Sequence, residues 1–194
     1  MKHRLFLLAS IVGLLTYGGL AAASAATTSH APASHAKKFC VARAESAGSS
    51  AVPTMTCYST FAASIRAATS GRISLPASAR PGSVTPDQLN AGPAVPNTTY
   101  VLSIDWADTN FTGPSLAWEQ TSKCGTFQAS SMPTGWNDVV ESVETFSGCA
   151  NTLYENINFG GTTFSIGKDS SASTLGSFND KTSSEKWCTA KPCG

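Results

Sequence analysis

One eight-residue pattern occurs twice in this chain: WADTNFTG at residues 106–113 and YENINFGG at residues 154–161. Each copy contains an aromatic residue, four further residues, a second aromatic residue, one more residue and a glycine. In a tight hairpin the two aromatic rings would pack together, and the glycine would supply a backbone conformation that residues with a Cβ atom avoid. Internal self-similarity of this kind indicates a duplicated structural unit.

Each copy is followed by a loop rich in side-chain oxygen: NDVVES at residues 137–142 and NDKTSS at residues 179–184. Carboxylate, amide and hydroxyl oxygens are more typical ligands of Ca²⁺ than of a transition metal. The same residue types also stabilise turns through hydrogen bonds to their own backbone. The repeat therefore predicts two equivalent loops that either bind calcium or act only as turns.

The sequence around the repeats predicts an all-β sandwich. Apolar and polar residues alternate at period two from Thr99 onward, and turns rich in Gly, Pro and Asn separate the segments at roughly 8–12 residue spacing. The predicted strands are 101–106, 115–119, 143–146, 151–154 and 162–166.

These features resemble the microbial βγ-crystallin family. The two hairpins match its Greek-key signature, and NDKTSS fits its calcium loop, Asn/Asp-Asn/Asp-x-x-Ser/Thr-Ser, at each specified position. The resemblance covers residues 99–187. It implies a domain over 99–190 in which two Greek-key motifs pack as a sandwich and bind calcium in two crossed sites. In each site the loop of one Greek key would be completed by a carbonyl from the hairpin of the other.

For the loop at 179–184 the resemblance implies a complete calcium site. Its ligands would be the Asp180 side chain, the Lys181 carbonyl, the Ser183 hydroxyl and the Ala107 carbonyl, with Asn179 bracing the loop. This set combines side-chain and backbone oxygens, as calcium sites do.

For the loop at 137–142 the resemblance implies a second site that departs from the family pattern. Its ligands would be the Asp138 side chain and the carbonyls of Val139 and Glu155, with Asn137 bracing the loop. Glu141 stands where the family has Ser or Thr. Its carboxylate either supplies an extra charged oxygen, or fills the site or points away from it.

The first 25 residues have the features of a secretion signal. A basic start at residues 2–4 precedes an apolar core at 5–15, and small residues at 23–25 fit a cleavage site. No later segment approaches the roughly 20 apolar residues that cross a bilayer. We therefore expect a secreted, extracellular protein without a membrane partner.

The cysteine content predicts a disulfide framework. All six cysteines follow the signal, and an even number in an oxidising compartment favours three disulfides, although sequence alone does not separate the possible pairings. We expect local closure. The alternative, a zinc cluster, lacks CxxC spacing and a nearby histidine. The expected pairs are Cys40–Cys57, Cys124–Cys149 and Cys188–Cys193.

The region before residue 99 predicts a small, partly helical and partly disordered segment followed by a linker. Within 26–74, the start is a disordered lead, and a short helix would begin at Ser59 as N-cap and stop at Gly71. Five prolines make 75–98 an extended, semi-rigid linker. One face of the helix would carry Phe61, Ile65 and Ala68.

Composition argues against several function classes. The chain has 13 Lys+Arg against 12 Asp+Glu, and the signal takes Lys2 and Arg4, so no basic surface for nucleic acid is expected. All three histidines precede residue 99. Catalytic triads, Cys–His dyads and histidine zinc sites are thus excluded from the domain, and we expect no enzyme. A carboxylate pair for glycoside hydrolysis stays open among Asp105, Asp108, Glu119, Glu141, Glu144 and Glu155.

The main functional hypothesis is a secreted, monomeric, calcium-binding structural module. The alternative is an extracellular interaction protein, such as a protease inhibitor or killer-toxin-like protein of the same fold, which would use a stiff exposed loop at 125–135. Four tryptophans raise a third idea, a sugar-binding surface. We expect Trp106 and Trp187 in the core and Trp136 partly exposed.

Overall fold

The computed structural model describes residues 39–91 and 97–194, so the expected signal peptide and disordered lead lie outside the described residues. The described chain forms helices α1 (Phe61–Ala68) and α2 (Pro86–Asn90), and neither is long and apolar enough to cross a membrane. The strands are β1 (Phe39–Arg43), β2 (Glu45–Ser46), β3 (Met55–Tyr58), β4 (Tyr100–Asp108), β5 (Thr112–Gln120), β6 (Phe127–Ala129), β7 (Ser142–Thr145), β8 (Ala150–Asn156), β9 (Gly160–Ile166), β10 (Ser171–Ala172) and β11 (Ser184–Cys188).

The predicted all-β sandwich is confirmed. A six-stranded sheet has the order β10-β7-β4-β5-β1-β3, and a five-stranded sheet has the order β2-β6-β11-β8-β9. Strands β4 to β7 form one Greek key and β8 to β11 form the other. The third strand of each motif lies in the sheet that holds the first two strands of the other motif. β6 therefore pairs with β11 in the five-stranded sheet, and β10 pairs with β7 in the six-stranded sheet. The two motifs are therefore interlocked, and their loops meet.

Two apolar layers stabilise this arrangement. The inter-sheet core lies between the sheets and includes Leu102, Trp118, Leu153 and Trp187, of which the two indole rings are 5.0 Å apart. The outer core lies on the other face of the six-stranded sheet, under the helices. It comprises Phe61, Ile65, Ala68, Val84, Leu89, Val101, Ile104, Trp106, Ala117 and Phe146. Trp106 and Trp187 are both fully buried, as expected.

The segment before residue 60 contributes strands to both sheets of the domain. β1 pairs with β5 in parallel and with β3 in antiparallel, while β2 extends the five-stranded sheet beside β6. Arg43 forms a salt bridge with Glu119 at 3.0 Å across the β1–β5 pair. The sequence placed the start of the sandwich at residue 99, whereas the structure includes residues 39–58 in it.

Both helices begin at residues that cap them through side-chain oxygen. Thr60, one residue after the predicted cap, accepts a hydrogen bond from Ala63 N at 3.2 Å because its own backbone is extended. The expected apolar face of α1 is confirmed as buried. Helix α2 interrupts the expected extended linker, since Thr85 and Gln88 form a capping box and Leu89 is buried in the outer core.

The three predicted disulfides are confirmed, and each closes a short stretch of chain. Cys40–Cys57 joins β1 to β3 across 17 residues, Cys124–Cys149 spans 25 residues and Cys188–Cys193 spans 5. No described cysteine is free. Local closures of this length remove conformational entropy from the unfolded chain.

Candidate metal centre

Each eight-residue repeat forms a folded hairpin with the same backbone. The two 3₁₀ turns, Thr109–Phe111 and Ile157–Phe159, contain an asparagine with left-handed dihedral angles, φ 58° and ψ 33° at Asn110 and φ 57° and ψ 33° at Asn158. Asparagine tolerates this region better than most residues with a Cβ atom. The duplication inferred from the sequence is thus reproduced residue by residue in the backbone.

Each repeat requires its glycine for two reasons: the backbone has a positive φ, and there is no room for a Cβ atom. Gly113 and Gly161 have φ of 75° and 78°. A Cβ atom on Gly113 would lie 2.3 Å from Asp108 Oδ2, and one on Gly161 would lie 2.8 Å from Asn156 Nδ2. The polar side chain near the start of each hairpin therefore folds across the turn against the glycine.

A serine from the downstream loop closes the first hairpin. Ser142 Oγ donates to the Asp108 carbonyl at 2.7 Å and accepts from Phe111 N at 3.1 Å. These two bonds satisfy backbone groups that the turn leaves unpaired. The end of the loop at 137–142 is thereby fixed to the hairpin of its own Greek key.

The second hairpin is closed in the same way. Ser184 Oγ donates to the Asn156 carbonyl at 2.7 Å and accepts from Phe159 N at 3.0 Å. The rings of Tyr154 and Phe159 pack edge to face with centroids 5.6 Å apart, as the pattern predicts. The two halves of the domain therefore present equivalent loops in equivalent positions.

The two loops hold each other through exchanged backbone hydrogen bonds. Asp138 N donates to the Thr182 carbonyl at 3.0 Å, and Asp180 N donates to the Val140 carbonyl at 3.1 Å. The backbone of both aspartates is in the left-handed region, with φ of 56° and 57°. The second residue of each loop is therefore positioned by the loop of the other Greek key.

The fifth residue of each loop is held by its own hairpin. Glu141 N donates to the Trp106 carbonyl at 2.9 Å, and Ser183 N donates to the Tyr154 carbonyl at 2.9 Å. The chain next passes through Ala107 in one hairpin and Glu155 in the other. Each candidate site thus combines the hairpin and fifth loop residue of one Greek key with the second loop residue of the other.

This crossing changes the grouping expected from the sequence. Ser183 Oγ donates to Asp138 Oδ1 at 3.3 Å, and Asn137 Nδ2 donates to Asp138 Oδ2 at 2.6 Å. The sequence grouped Ser183 with Asp180 instead. In the structure the charge of Asp180 acts on Glu141, so we distinguish an Asp138–Ser183 site from an Asp180–Glu141 site.

Acidic side chains repel one another around the Asp180–Glu141 site. Partial burial raises the pKa of Glu141, and the charges of Asp180 and Asp108 raise it further against a hydrogen bond from the Thr109 backbone. The pKa of Asp180 is raised by partial burial and then by Asp138 and Asp108. A bound cation would relieve this repulsion. Asp108 belongs to the hairpin and was not among the expected site residues, although its carboxylate is visible in the repeat.

Other expected site residues have defined partners. Asn179 Oδ1 accepts from Leu175 N at 2.8 Å and from Thr174 Oγ1 at 3.2 Å, which braces the start of its loop. The Glu155 carboxylate accepts from Thr162 Oγ1 and N, and these bonds lower its pKa. The side chain of Glu155 is therefore engaged within its own hairpin. Val139 and Lys181 occupy the third positions of the two loops.

The atoms of the candidate centre that could bind a cation are hard oxygen ligands. Within the described ranges, no group of three or more His, Cys, Asp or Glu side chains is arranged to hold a metal ion by itself. A cation here would need hydroxyl and carbonyl oxygens beside the carboxylates. Such mixed sets suit Ca²⁺, which accepts six to eight oxygen ligands in flexible geometry.

The loop at 125–135, expected to be stiff and exposed, is instead part of the sandwich. It contains strand β6, which pairs with β2 and β11. Ala129 and Met132 are buried at 0% and 5% exposure, and Trp136 is also buried at 5%. The expectations of an exposed interaction loop here and of a partly exposed Trp136 are therefore wrong, because these side chains pack in the inter-sheet core.

Comparisons with known proteins identify several domains to which this chain is similar. The family described as "Peptidase inhibitor family I36" matches residues 106–166, and no curated protein matches the chain. A structure concerning the evolution of the eye-lens βγ-crystallin domain fold is 22% identical, covering 52% of this chain and 94% of that chain with a TM-score of 0.39.

Bacterial domains are also similar to this chain. A βγ-crystallin domain from Clostridium beijerinckii is 26% identical and covers 46% of this chain and 99% of its own, with a TM-score of 0.34. One from Flavobacterium johnsoniae is 25% identical, with coverage of 48% and 99% and a TM-score of 0.34. With its two folded hairpins and its crossed loops, the domain described here is similar to the βγ-crystallins.

Proposed function

We propose that this protein is an extracellular calcium-binding structural module in which Ca²⁺ joins the two Greek keys. The observation that carries the proposal is the exchange of backbone hydrogen bonds between the two loops. Asp138 N donates to the Thr182 carbonyl, and Asp180 N donates to the Val140 carbonyl. Each aspartate is thereby presented to the fifth residue of the other loop. A cation bound there would contact both Greek keys at once.

In the Asp138–Ser183 site, calcium would be held by the Asp138 carboxylate, the Ser183 hydroxyl and the carbonyl oxygens of Lys181 and Glu155. The 3.3 Å hydrogen bond between the two side chains supports this grouping, because it shows that their oxygens already face each other. The ion would replace the hydroxyl proton as the partner of the carboxylate.

In the Asp180–Glu141 site, the ligands would be the carboxylates of Asp180 and Glu141 and the carbonyl oxygens of Val139 and Ala107. The nearby charge of Asp108 adds to the field, since it raises the pKa of both acids. Carboxylate number tunes calcium affinity. We therefore expect this site to bind more tightly than the Asp138–Ser183 site, so that Glu141 strengthens binding.

Calcium binding would stabilise the sandwich in two ways. It would relieve repulsion among acids from both Greek keys, and it would bind the folded chain in preference to the unfolded one. The second effect amounts to about 2.7 kcal/mol when free calcium is about a hundred times its Kd. The role of the ion would be structural, because it would link two motifs whose strands already pair within the same sheets.

Calorimetric titration of the oxidised protein with CaCl₂, together with thermal melts in EGTA and in calcium, tests the proposal. We expect saturable binding and a higher Tm in calcium. Asp180→Asn with Glu141→Gln should remove the tighter site, whereas Asp138→Asn with Ser183→Ala should remove the other. Asp87→Asn on the exposed start of α2 is the matched control and should change neither.

Two outcomes would contradict this function. One is the absence of heat and of any Tm change at millimolar calcium. The other is an equal Tm increase with Asp87→Asn, with both double variants and with the unsubstituted protein, which would mean that calcium acts elsewhere or only through ionic strength. An equimolar MgCl₂ titration separates calcium selectivity from general charge screening.

A second candidate function, peptidase inhibition, is favoured by the match of residues 106–166 to a peptidase inhibitor family. It would use the surface of the same sandwich. Incubation of the oxidised protein with secreted metallo-, serine and cysteine peptidases tests it directly. Unchanged peptidase activity at micromolar protein would reject inhibition, whereas inhibition that persists in both double variants would separate it from calcium binding.

We propose no catalytic activity for the domain, because residues 99–194 contain no histidine and the cysteines are paired in disulfides. The three disulfides agree with an oxidising compartment. Together with the signal-like start of the sequence, they support the proposed extracellular location.

A further inference from the structure

A loop of residues 47–54 connects the two sheets of the sandwich. It leaves β2, at the edge of the five-stranded sheet, and enters β3, at the edge of the six-stranded sheet. Six of its eight residues are exposed. This segment, the β2–β3 loop, therefore lies on the outside of the domain.

The most exposed large apolar side chain in the described ranges belongs to this loop. Val52 is 61% exposed, and within residues 39–91 and 97–194 the only other exposed large hydrophobic residue is Ile157, at 56%. A single exposed valine is ordinary at a protein surface. Val52 differs because the loop that presents it is fixed at both ends.

Hydrogen bonds hold the first half of the loop. Ser49 N donates to the Ser46 carbonyl at 3.1 Å, and Gln128 Nε2 on β6 donates to the Ser49 carbonyl at 2.7 Å. Ala51 N donates to Ser49 Oγ at 3.4 Å. These bonds fix the backbone on the N-terminal side of Val52.

The second half of the loop is held by packing and by a disulfide. Pro53 is buried directly after Val52, and Met55 at the start of β3 packs against the inter-sheet core. Cys57 on β3 is joined to Cys40 on β1. A residue before proline is restricted to extended backbone, so Val52 is presented in an extended conformation. A loop fixed in this way loses little conformational entropy when it binds a partner.

The chemistry of the loop is that of an uncharged peptide. Its sequence, AGSSAVPT, contains no Lys, Arg, Asp or Glu. A peptidase binds a peptide substrate through backbone contacts and through a pocket that takes one side chain. The pocket that suits Val52 is small and apolar, as in elastase, whereas the pocket of trypsin carries an aspartate that selects basic residues.

We propose that the β2–β3 loop enters the substrate cleft of a secreted serine endopeptidase whose pocket takes small aliphatic side chains, with Val52 in the pocket. The proposal rests on the second candidate function, peptidase inhibition, and supplies the exposed loop that residues 125–135 do not provide. The loop precedes residues 106–166, which match the inhibitor family, so that match does not assign it. No residue of the loop belongs to the proposed metal sites.

Pro53 accounts for inhibition in place of cleavage. The bond after Val52 joins a nitrogen that is part of the proline ring, and Pro53 is buried. To cleave this bond, the peptidase would have to protonate that nitrogen as it leaves, while the buried ring and the anchored β3 hold it in place. The loop therefore stays intact while it blocks the cleft.

Inhibition kinetics of the oxidised protein with elastase and with trypsin test the proposal. We expect the unsubstituted protein to inhibit elastase and not trypsin. Val52→Lys should weaken elastase inhibition by about tenfold or more and create inhibition of trypsin, because a lysine side chain suits the acidic pocket. Ile157→Lys, at the other exposed apolar residue, is the matched control and should change neither. The same results are expected in EGTA and in calcium.

A measurement on the unsubstituted protein stands even if a variant fails to fold. Elastase should slow amide hydrogen exchange at residues 47–54, and mass spectrometry after the incubation should find the loop uncut. Exchange that is unchanged in this loop, or rapid cleavage after Val52 with loss of inhibition, would overturn the proposal.

The kinetics separate failure of the loop from failure of peptidase inhibition. Equal elastase inhibition by the unsubstituted protein and by Val52→Lys would overturn the role of the loop and leave inhibition through another surface. Absence of elastase inhibition at micromolar protein would also overturn it. Peptidase inhibition itself fails only if the wider panel of metallo-, serine and cysteine peptidases is unaffected as well.

Discussion

Ser142 and Ser184 make the same two hydrogen bonds in the two halves of the domain. Each hydroxyl donates to a hairpin carbonyl at 2.7 Å and accepts from the N–H of the second aromatic residue, at 3.1 Å for Ser142 and 3.0 Å for Ser184. Both serines are fully buried. The last residue of each loop is therefore hydrogen-bonded to the hairpin of its own Greek key, while the second residue of each loop is hydrogen-bonded to the other loop.

Replacing either serine by alanine should destabilise the domain. Ser142→Ala or Ser184→Ala leaves a backbone N–H and a carbonyl of the hairpin without their partner, which costs about 1–3 kcal/mol. Urea denaturation followed by tryptophan fluorescence measures this loss. Ser177→Ala, at an exposed position, is the control and should be close to neutral. Equal stability of all three variants would show that the hydroxyl bonds contribute nothing.

The two hairpin glycines should tolerate alanine worse than a glycine with similar backbone angles in open space. Gly135 has φ of 87° and no atom within 4 Å of a built Cβ atom, whereas the same atom on Gly113 would lie 2.3 Å from Asp108 Oδ2. Gly135→Ala should therefore cost only the left-handed conformation, about 1–2 kcal/mol. We expect Gly113→Ala to cost more, as measured by urea denaturation. Equal losses would mean that the Asp108 side chain moves aside freely.

Removing the charge of Asp180 should have opposite effects with and without calcium. Partial burial and then the charges of Asp138 and Asp108 raise the pKa of Asp180, so its ionised form is disfavoured in the calcium-free protein. Asp180→Asn should therefore raise Tm slightly in EGTA at neutral pH, and should reduce the Tm increase produced by calcium. A lower Tm in EGTA would show instead that the carboxylate supports the loop.

Glu144 should make the protein less stable as the pH rises toward neutrality. Burial raises its pKa from the ordinary 4.5 to about 7, so the folded chain binds this proton more tightly than the unfolded chain does. The stabilisation is present below about pH 4.5 and is lost as the pH passes about 7. Glu144→Gln stays neutral throughout and should flatten the Tm profile in this window. An unchanged profile would indicate that the carboxyl group reaches solvent.

Local features of the fold follow from the sequence because short-range chemistry determines them. Each hairpin needs two aromatic residues and a glycine such as Gly113 within eight positions. The disulfides close loops of 17, 25 and 5 residues, so pairing neighbours in sequence was sufficient. The capping of α1 was predicted to within one residue, the difference being Thr60 in place of Ser59.

Features that depend on distant partners were not predictable in the same way. Ser183 meets Asp138 across 45 residues, and Arg43 meets Glu119 across 76. No periodic pattern specifies such pairs, so the sequence analysis grouped Ser183 with Asp180 and began the sandwich after β1.

The domain should not be stable without its N-terminal segment. The outer face of the six-stranded sheet carries Trp106, which is fully buried and packs on Phe61 with ring centroids 5.4 Å apart. A fragment of residues 97–194 would expose this ring. At about 25 cal/mol per Å² and roughly 150–250 Å² for a buried aromatic, that exposure alone costs about 4–6 kcal/mol. We expect the fragment to aggregate or dimerise in size-exclusion chromatography, whereas residues 39–194 stay monomeric.

Phe61→Ala in the longer protein should lower its stability by about 3–5 kcal/mol without removing strand β1. A monomeric fragment as stable as the longer protein would show that the sandwich ends at residue 97.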